Sequence, residues 1–205
     1  MEQPTTATLL CGLQDSLQAA GLTPREIGLF SVSRGPGSFT GLRAGLTVAK
    51  TFAWLTGCRL ASIDTHLILA AGLAEEDRQL AHRDTRQIAT VINAQRNEWF
   101  AQIWQIGGDG LEVLAGNRIV RPEQFLEGLP RGSIVNGPGL SRLPASGNWQ
   151  TRDLRICQPA WRMPRASVIG QLGWQESKSG RTTDPLSLVP LYGRLSAAEE
   201  KRSGA

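Results

Sequence analysis

Residues 33–53 read Ser33-Arg34-Gly35-Pro36-Gly37-Ser38-Phe39-Thr40-Gly41-Leu42-Arg43-Ala44-Gly45-Leu46-Thr47-Val48-Ala49-Lys50-Thr51-Phe52-Ala53, and the reading of the chain grows outward from them. The apolar run Leu29 to Ser33, flanked by glycines, predicts a strand. Gly35-Pro36-Gly37 must break it sharply. Ser38 or Thr40 can then cap a helix that runs to about Thr56, with Gly57 as its stop. A glycine-rich strand-to-helix turn can hold a phosphate, because unpaired N–H groups and the helix dipole point outward there. The spacing fits neither standard nucleotide loop. In G-x-x-x-x-G-K-[ST] the second glycine follows five residues after the first, and Gly35 plus five is Thr40; for G-x-G-x-x-G, Gly41 arrives one residue late. A self-sufficient nucleotide loop is therefore disfavoured.

The helix itself carries a second signal. Gly41, Gly45, Ala49 and Ala53 recur every four residues, leaving a stripe nearly without side chains. A helix-interior glycine costs about 1 kcal/mol relative to alanine, so the stripe needs a compensating gain. Small residues at this spacing let another backbone approach closely. That backbone belongs either to the protein's own sheet or to a helix of a second protein, and the spacing leaves both open.

Upstream, Leu10, Leu13 and Leu17 give Thr5–Ala20 a helical period, ended by Gly21. Thr23-Pro24-Arg25-Glu26 reads as a capping box opening one turn. Downstream come a strand at Arg59–Ile63, a helix capped by Asp64 or Thr65 through about Ala74, and a polar stretch over 75–86 that reads as an exposed loop or a frayed helical end. Then the period changes. Gln87–Ala94, Glu98–Ile106 and Leu111–Ala115 predict an antiparallel meander with turns at Gln95-Arg96-Asn97 and Gly107-Gly108-Asp109-Gly110. A short helix at Pro122–Glu127, a strand at Ser133–Val135, a loop over Ser141–Arg152, a helix at Pro164–Lys178 with proline at its first position and an extended tail at Pro185–Arg194 complete the pattern. The reading is an α/β chain in two lobes, 1–75 and 76–205.

Composition narrows the function classes. The net charge of +4 comes from 22 Lys and Arg against 18 Asp and Glu, without a run of five basic residues, so a dedicated nucleic-acid stripe is disfavoured. The 3 cysteines, Cys11, Cys58 and Cys157, lie far apart and suit buried thiols in a reducing compartment better than zinc or disulfides. The N-terminus lacks the layout of a signal peptide, and the apolar stretch at Leu67–Leu73 is far short of a membrane span, so the expected location is cytoplasmic, away from membranes.

Chemistry-bearing residues are sparse. The 2 histidines, His66 and His82, stand too far apart for a metal pair and are expected at the surface or as helix caps. Ser38 and Thr40 lack an adjacent base and read as caps rather than nucleophiles. Glu75-Glu76-Asp77 reads as a solvated stretch, Asp64 as a cap and Asp109 as a turn residue. No catalytic residue and no metal ligand is assigned. Arg34, Arg43, Lys50 and Arg96 remain as contacts for a partner or a phosphate. Most of the 6 tryptophans are expected in the core, with Trp54 at the edge of the small-residue stripe.

Residues 33–53 resemble the signature of the bacterial TsaB (YeaZ-type) family, accessory proteins of tRNA threonylcarbamoyladenosine synthesis. Val91-Ile92-Asn93-Ala94-Gln95-Arg96 resembles the family's strand ending in D-A-R-R-x-E-V-Y, with Asn93 and Gln95 replacing Asp and Arg. Ile134-Val135-Asn136-Gly137 resembles its V-x-G-x-G turn, and Val189-Pro190-Leu191-Tyr192-Gly193-Arg194 its closing P-x-Y-x-R. The resemblance implies an actin-like, Hsp70/sugar-kinase fold with ribonuclease-H-like sheets. It implies a non-catalytic scaffold that binds the catalytic subunit TsaD, joined by the ATPase TsaE. ATP or ADP and metal are then expected on those partners, with no cofactor of its own, and tRNA is met indirectly. The implied interface is Leu10, Leu13 and Leu17 with Gly41, Arg43, Gly45, Ala49 and Ala53, beside the turn Arg34, Gly35, Pro36, Gly37, Ser38 and Thr40. The sequence leaves open whether the same face also pairs two copies of the chain as a homodimer. Family members open with a hairpin of the type I-L-x-I-D-T-S, whereas the sequence here opens at the helix; either the true start lies upstream, or the first sheet lacks two or three strands and the strand at Leu29–Ser33 has an unpaired edge. The alternatives are an ATP-dependent transferase of the same fold and a truncated, inactive paralogue.

Overall fold

The computed structural model describes residues 6–76, 87–107 and 110–193. In chain order the elements are α1 (Thr6–Ala19), β1 (Leu29–Gly35), α2 (Phe39–Thr56), β2 (Arg59–Asp64), α3 (Thr65–Glu76), β3 (Gln87–Asn93), β4 (Trp99–Gly107), β5 (Gly110–Val120), α4 (Pro122–Gly128), β6 (Ile134–Asn136), β7 (Arg155–Ile156) and α5 (Ala166–Lys178). They form two compact units, Met1–Asp64 with Ala166–Leu191, and Thr65–Arg165 with Tyr192–Ala205. The linear pattern puts a boundary at 75/76. The units instead part at Asp64, and the chain returns at Ala166 to the first unit, because α5 packs on β1 and β2. Such a return is a contact of long sequence separation, which local periodicity does not encode.

In the first unit β1 and β2 pair in parallel, Phe30 opposite Leu60 and Ser33 opposite Ile63. Among the described residues this sheet consists of these two strands. One face is covered by α2, whose Leu46, Ala49 and Ala53 pack with Cys58, Leu60 and Leu188 and against Phe30 and Val32. The other face is covered by α5. A Cβ on Gly173 would lie 2.7 Å from the Ser31 Cβ and 3.2 Å from the Ala61 Cβ, so only glycine allows this helix so close. The segment expected as an extended tail over 185–194, and Thr183 just before it, are pinned along the unit. Thr183 N–H donates to the Leu60 carbonyl at 2.7 Å, Lys50 Nζ to the Leu188 carbonyl at 3.1 Å, and Leu191 N–H to the Arg34 carbonyl at 2.7 Å.

The ends of α1 show how closely local chemistry is obeyed. Gly21, at φ +67°, donates to the Gln18 carbonyl while Leu22 N–H reaches the Leu17 carbonyl, closing the helix as a glycine stop should. Next, the Glu26 carboxylate accepts the backbone N–H and the hydroxyl of Thr23, both at 2.7 Å, and starts the single 3-10 turn Pro24–Glu26.

The second unit is a five-stranded sheet in the order β5-β4-β3-β6-β7. The meander β3-β4-β5 is antiparallel, as the spacing predicts, while β6 and β7 add in parallel. Ala70 and Leu73 of α3 pack on one face against Ile88, Trp104 and Ile134. Phe125, Leu126 and Leu129 pack on the other with Val91, Trp99, Ala101 and Val135. The strand expected over Leu111–Ala115 runs on to Val120, and the loop over 141–152 contains 3-10 turns. α5 begins at Ala166, two residues after Pro164, so that proline is not its first helical residue.

Candidate functional site

The turn after β1 is built tightly. Gly35 takes φ +113°, and a Cβ there would fall 2.7 Å from the Leu191 carbonyl oxygen. Gly35 and Pro36 are buried, whereas Arg34, Ser38, Thr40 and Gly41 are exposed and Gly37 is half-buried. Ser38 is the helix cap, its Oγ accepting the Gly41 N–H at 3.3 Å. Thr40 lies inside the first turn rather than at the cap. Arg43 rests over the Phe39 ring, 5.2 Å from its centroid, so its guanidinium is held at the surface beside an exposed aromatic.

The small-residue stripe does not act as one surface. Ala49 and Ala53 are 0% and 4% exposed and belong to the core against the protein's own sheet. They leave the expected interface, because the face of α2 that carries them turns inward onto β1 and β2. Gly45 differs: a Cβ there would meet nothing within 4 Å. A Cβ on Gly41 would touch only the Ser38 side chain. The outward part of α2 is instead apolar near its C-terminus, where Trp54 and Leu55 are 79% and 66% exposed.

The leucines of α1 do come together. Leu10, Leu13 and Leu17, with Leu22, Pro24 and Phe52, line an open groove of about 640 Å³. Phe52 is also in ring contact with Phe30 of β1, at 5.0 Å between centroids, so the groove begins beside that strand. The α1 helix is otherwise thinly covered: Leu10 is 50% exposed and Leu9 41%. Leucines left this open mark a contact surface more often than a monomer's finished exterior.

Several expected roles are replaced by structural ones. Lys50 holds the 188 segment through its bond to the Leu188 carbonyl, which removes it from partner contact. His66 is neither a surface residue nor a cap. It is fully buried, with Nδ1 2.9 Å from Thr90 Oγ1 and Nε2 3.2 Å from Asn117 Oδ1, and Trp104 Nε1 donates to the same Thr90 oxygen at 3.0 Å. This network is what the sequence reading missed. Its one sequence signal is Thr90, a hydroxyl in the middle of an apolar central strand. Of the thiols, Cys58 and Cys157 are buried as expected, but Cys11 is exposed because α1 is so thinly covered. Asn93, which stands where the resembled motif has Asp, donates its amide hydrogens to the Pro138 carbonyl at 3.3 Å and to Ser141 Oγ at 3.2 Å, bonds a carboxylate could not donate. The predicted turn is formed by Gln95, Arg96 and Asn97 in succession at φ +65°, +48° and +57°, closed by Ala94 N–H to the Glu98 carbonyl at 2.9 Å. The side chains of Glu75 and Glu76, and Asp77, His82, Asp109 and Arg194 altogether, lie outside the described residues. Among the described residues no three His, Cys, Asp or Glu side chains converge as a metal site would require, and no helix is long and apolar enough to cross a membrane.

The family model for TsaD, tRNA N6-adenosine threonylcarbamoyltransferase, matches residues 6–171. The chain is 27% identical over 190 residues to the tRNA threonylcarbamoyladenosine biosynthesis protein TsaB of Bacillus subtilis, covering 90% of this chain and 77% of that one. With the Escherichia coli protein of the same name the identity is 26% over 202 residues, covering 97% and 84%. Its fold matches that of YeaZ from Pseudomonas aeruginosa with a TM-score of 0.71 at 20% identity, over 91% of this chain and 83% of that one. The chain therefore belongs to the TsaD family, within its TsaB (YeaZ-type) branch.

Proposed function

We propose that this chain is the TsaB-type accessory subunit of tRNA threonylcarbamoyladenosine synthesis and acts by binding a TsaD-like catalytic subunit rather than by its own chemistry. The observation that carries this reading is the open apolar surface of the first unit, the groove under Leu10, Leu13 and Leu17 together with the uncovered Gly45. A leucine-lined groove on a helix is suited to receiving a helix of another protein, whose side chains would fill it. The residues that could be mistaken for catalytic groups are already committed: Ser38 to its helix cap and His66 to the buried network with Thr90 and Asn117.

In this reading, TsaD binding biases the catalytic subunit toward its competent arrangement, which is activation by differential affinity. Arg34 and Arg43, both exposed beside the turn, meet acidic groups of that partner. A TsaE-like ATPase joins the pair, ATP or ADP and metal are held by the partner subunits, and tRNA is engaged through TsaD in the cytoplasm. Reconstitution tests this directly. TsaD with the remaining pathway enzymes, their small-molecule substrates, ATP and unmodified tRNA should form threonylcarbamoyladenosine only when this protein is added. Equal formation without it would reject the accessory role, and turnover of ATP by this protein alone would reject the non-catalytic one.

A further inference from the structure

We propose that arginines spread along the sequence of the second unit meet at the β6–β7 end of its sheet and form a surface for the phosphate backbone of a structured RNA. This chain then makes its own contact with the tRNA, in addition to the engagement through TsaD. Between Leu129 and Arg165 the chain carries Arg131, Arg142, Arg152, Arg155, Arg162 and Arg165, no lysine, and Asp153 as its one acidic residue. No run of basic residues announces the surface, because backbone pairing assembles it. Gly132 N–H donates to the Arg152 carbonyl at 3.4 Å and Arg155 N–H to the Ser133 carbonyl at 3.0 Å, which brings Arg131, Arg152 and Arg155 together where β6 and β7 begin. All three are exposed, and β7 is the last strand in the sheet order. Leu154 and Ile156 pack against the core that holds Val135, so Arg155 between them faces away from it. Two residues on, the Cys157 carbonyl accepts Arg162 Nε at 2.8 Å and holds a fourth guanidinium beside the same strand.

Charge and chemistry decide what fits there. The acids of the neighbouring segments are Asp153 and, on α4, the half-buried Glu123 and Glu127. Arg131 and Arg152 hold no ion pair with them among the described residues, which leaves both guanidiniums to a ligand. A guanidinium can grip two phosphate oxygens at once, which an ammonium cannot, and a surface built from arginine without lysine suits that geometry. Protein partners, by contrast, are held through buried apolar anchors inside a polar rim. From residue 120 to 162 no large apolar side chain is exposed, so this surface offers an acidic protein no anchor. A nucleic acid needs none, since the release of its counterions drives binding. That the RNA is tRNA rests on the accessory reading above; the phosphate-binding surface does not.

Fluorescence anisotropy of an end-labelled, unmodified tRNA transcript tests the proposal without TsaD, with the full chain titrated to about 100 µM at about 50–200 mM KCl. The wild type should bind, with an affinity that falls steeply as salt rises. Arg131→Gln together with Arg152→Gln should bind about tenfold more weakly at the lowest salt, and the slope of log affinity against log salt should be shallower by about 1.5. Arg25→Gln together with Arg59→Gln removes the same charge from exposed positions of the first unit and should change neither value. Arg131→Lys together with Arg152→Lys should restore the slope and part of the affinity, which also shows that these positions tolerate substitution. No binding by the wild type, or equal weakening by the two glutamine pairs, would overturn the proposal. So would displacement of the tRNA by polyglutamate at equal charge concentration, since the surface would then take acidic proteins. Failure here with intact TsaD binding sinks this proposal alone; lost TsaD binding with intact RNA binding sinks the accessory reading alone.

Discussion

Gly173→Ala sets two effects against each other at one site. Glycine in the interior of α5 costs about 1 kcal/mol against alanine, so on helix propensity alone the substitution should stabilise. The added methyl, however, would stand 2.7 Å from the Ser31 Cβ and 3.2 Å from the Ala61 Cβ. Turning the Ser31 hydroxyl away relieves one contact, but the Cβ of Ser31 moves only with β1 itself. Overpacking of this kind costs about 1–3 kcal/mol, so the net effect should be a loss of about 1 kcal/mol, or about 2–4 °C in melting temperature for a chain of this size. Gly173→Val keeps the clash, adds two methyls and forfeits much of the propensity gain, so it should lose more. Urea denaturation followed by circular dichroism measures both. If Gly173→Ala proves as stable as the wild type or more stable, α5 does not pack on β1 at this distance and the architecture of the first unit is wrong.

Three further outcomes are expected. Ser38→Ala removes the side chain that accepts the Gly41 N–H, and should lower the melting temperature by the equivalent of about 1 kcal/mol, with Ser38→Asp restoring it. Thr90→Val, similar in shape, removes the buried oxygen that Trp104 Nε1 and His66 Nδ1 share and should cost about 2–4 kcal/mol in chemical denaturation, far more than an exposed Thr→Val change. Asp184 is held below the usual carboxylate range, first by the Leu186 N–H and more weakly by Ser187 and Lys50, and Glu176 by its hydrogen bond to Arg181. Depressed values mean stability that is complete above the ordinary carboxylate pKa and drains away as pH falls below about 4; melting curves between pH 3 and 6 should show this loss reduced in an Asp184→Asn, Glu176→Gln variant.

Local rules made the first unit legible element by element. Gly21 and Gly57 stop their helices, Ser38 caps α2, and Glu26 bonds back to Thr23, because each depends on neighbours within four residues. What stayed hidden depends on distant partners. A four-residue repeat of small side chains says that something approaches α2 closely. It does not say whether Ala49 meets the protein's own sheet, as it does, or another chain, as the uncovered Gly45 allows. His66 read as a surface residue because histidine at a helix start is usually solvated; its burial follows from Thr90 and Asn117, 24 and 51 residues away. The return of α5 to β1 likewise turns on Gly173 fitting Ser31, a match between residues far apart in the chain. In the candidate site, the α1 leucines were legible from their period alone, while the open groove beneath them was not, since it depends on what surrounds α1 in space.

The central claim rests on the exposed surface of α1 and α2, and Gly45→Leu probes it without disturbing the core, because the position opens to solvent. Titration of the cognate TsaD into the wild type and into this variant by isothermal calorimetry, with unchanged melting of the variant as the control, should show binding to the first and at least tenfold weaker binding to the second. Equal affinity for the two would contradict the account and place the partner on another face.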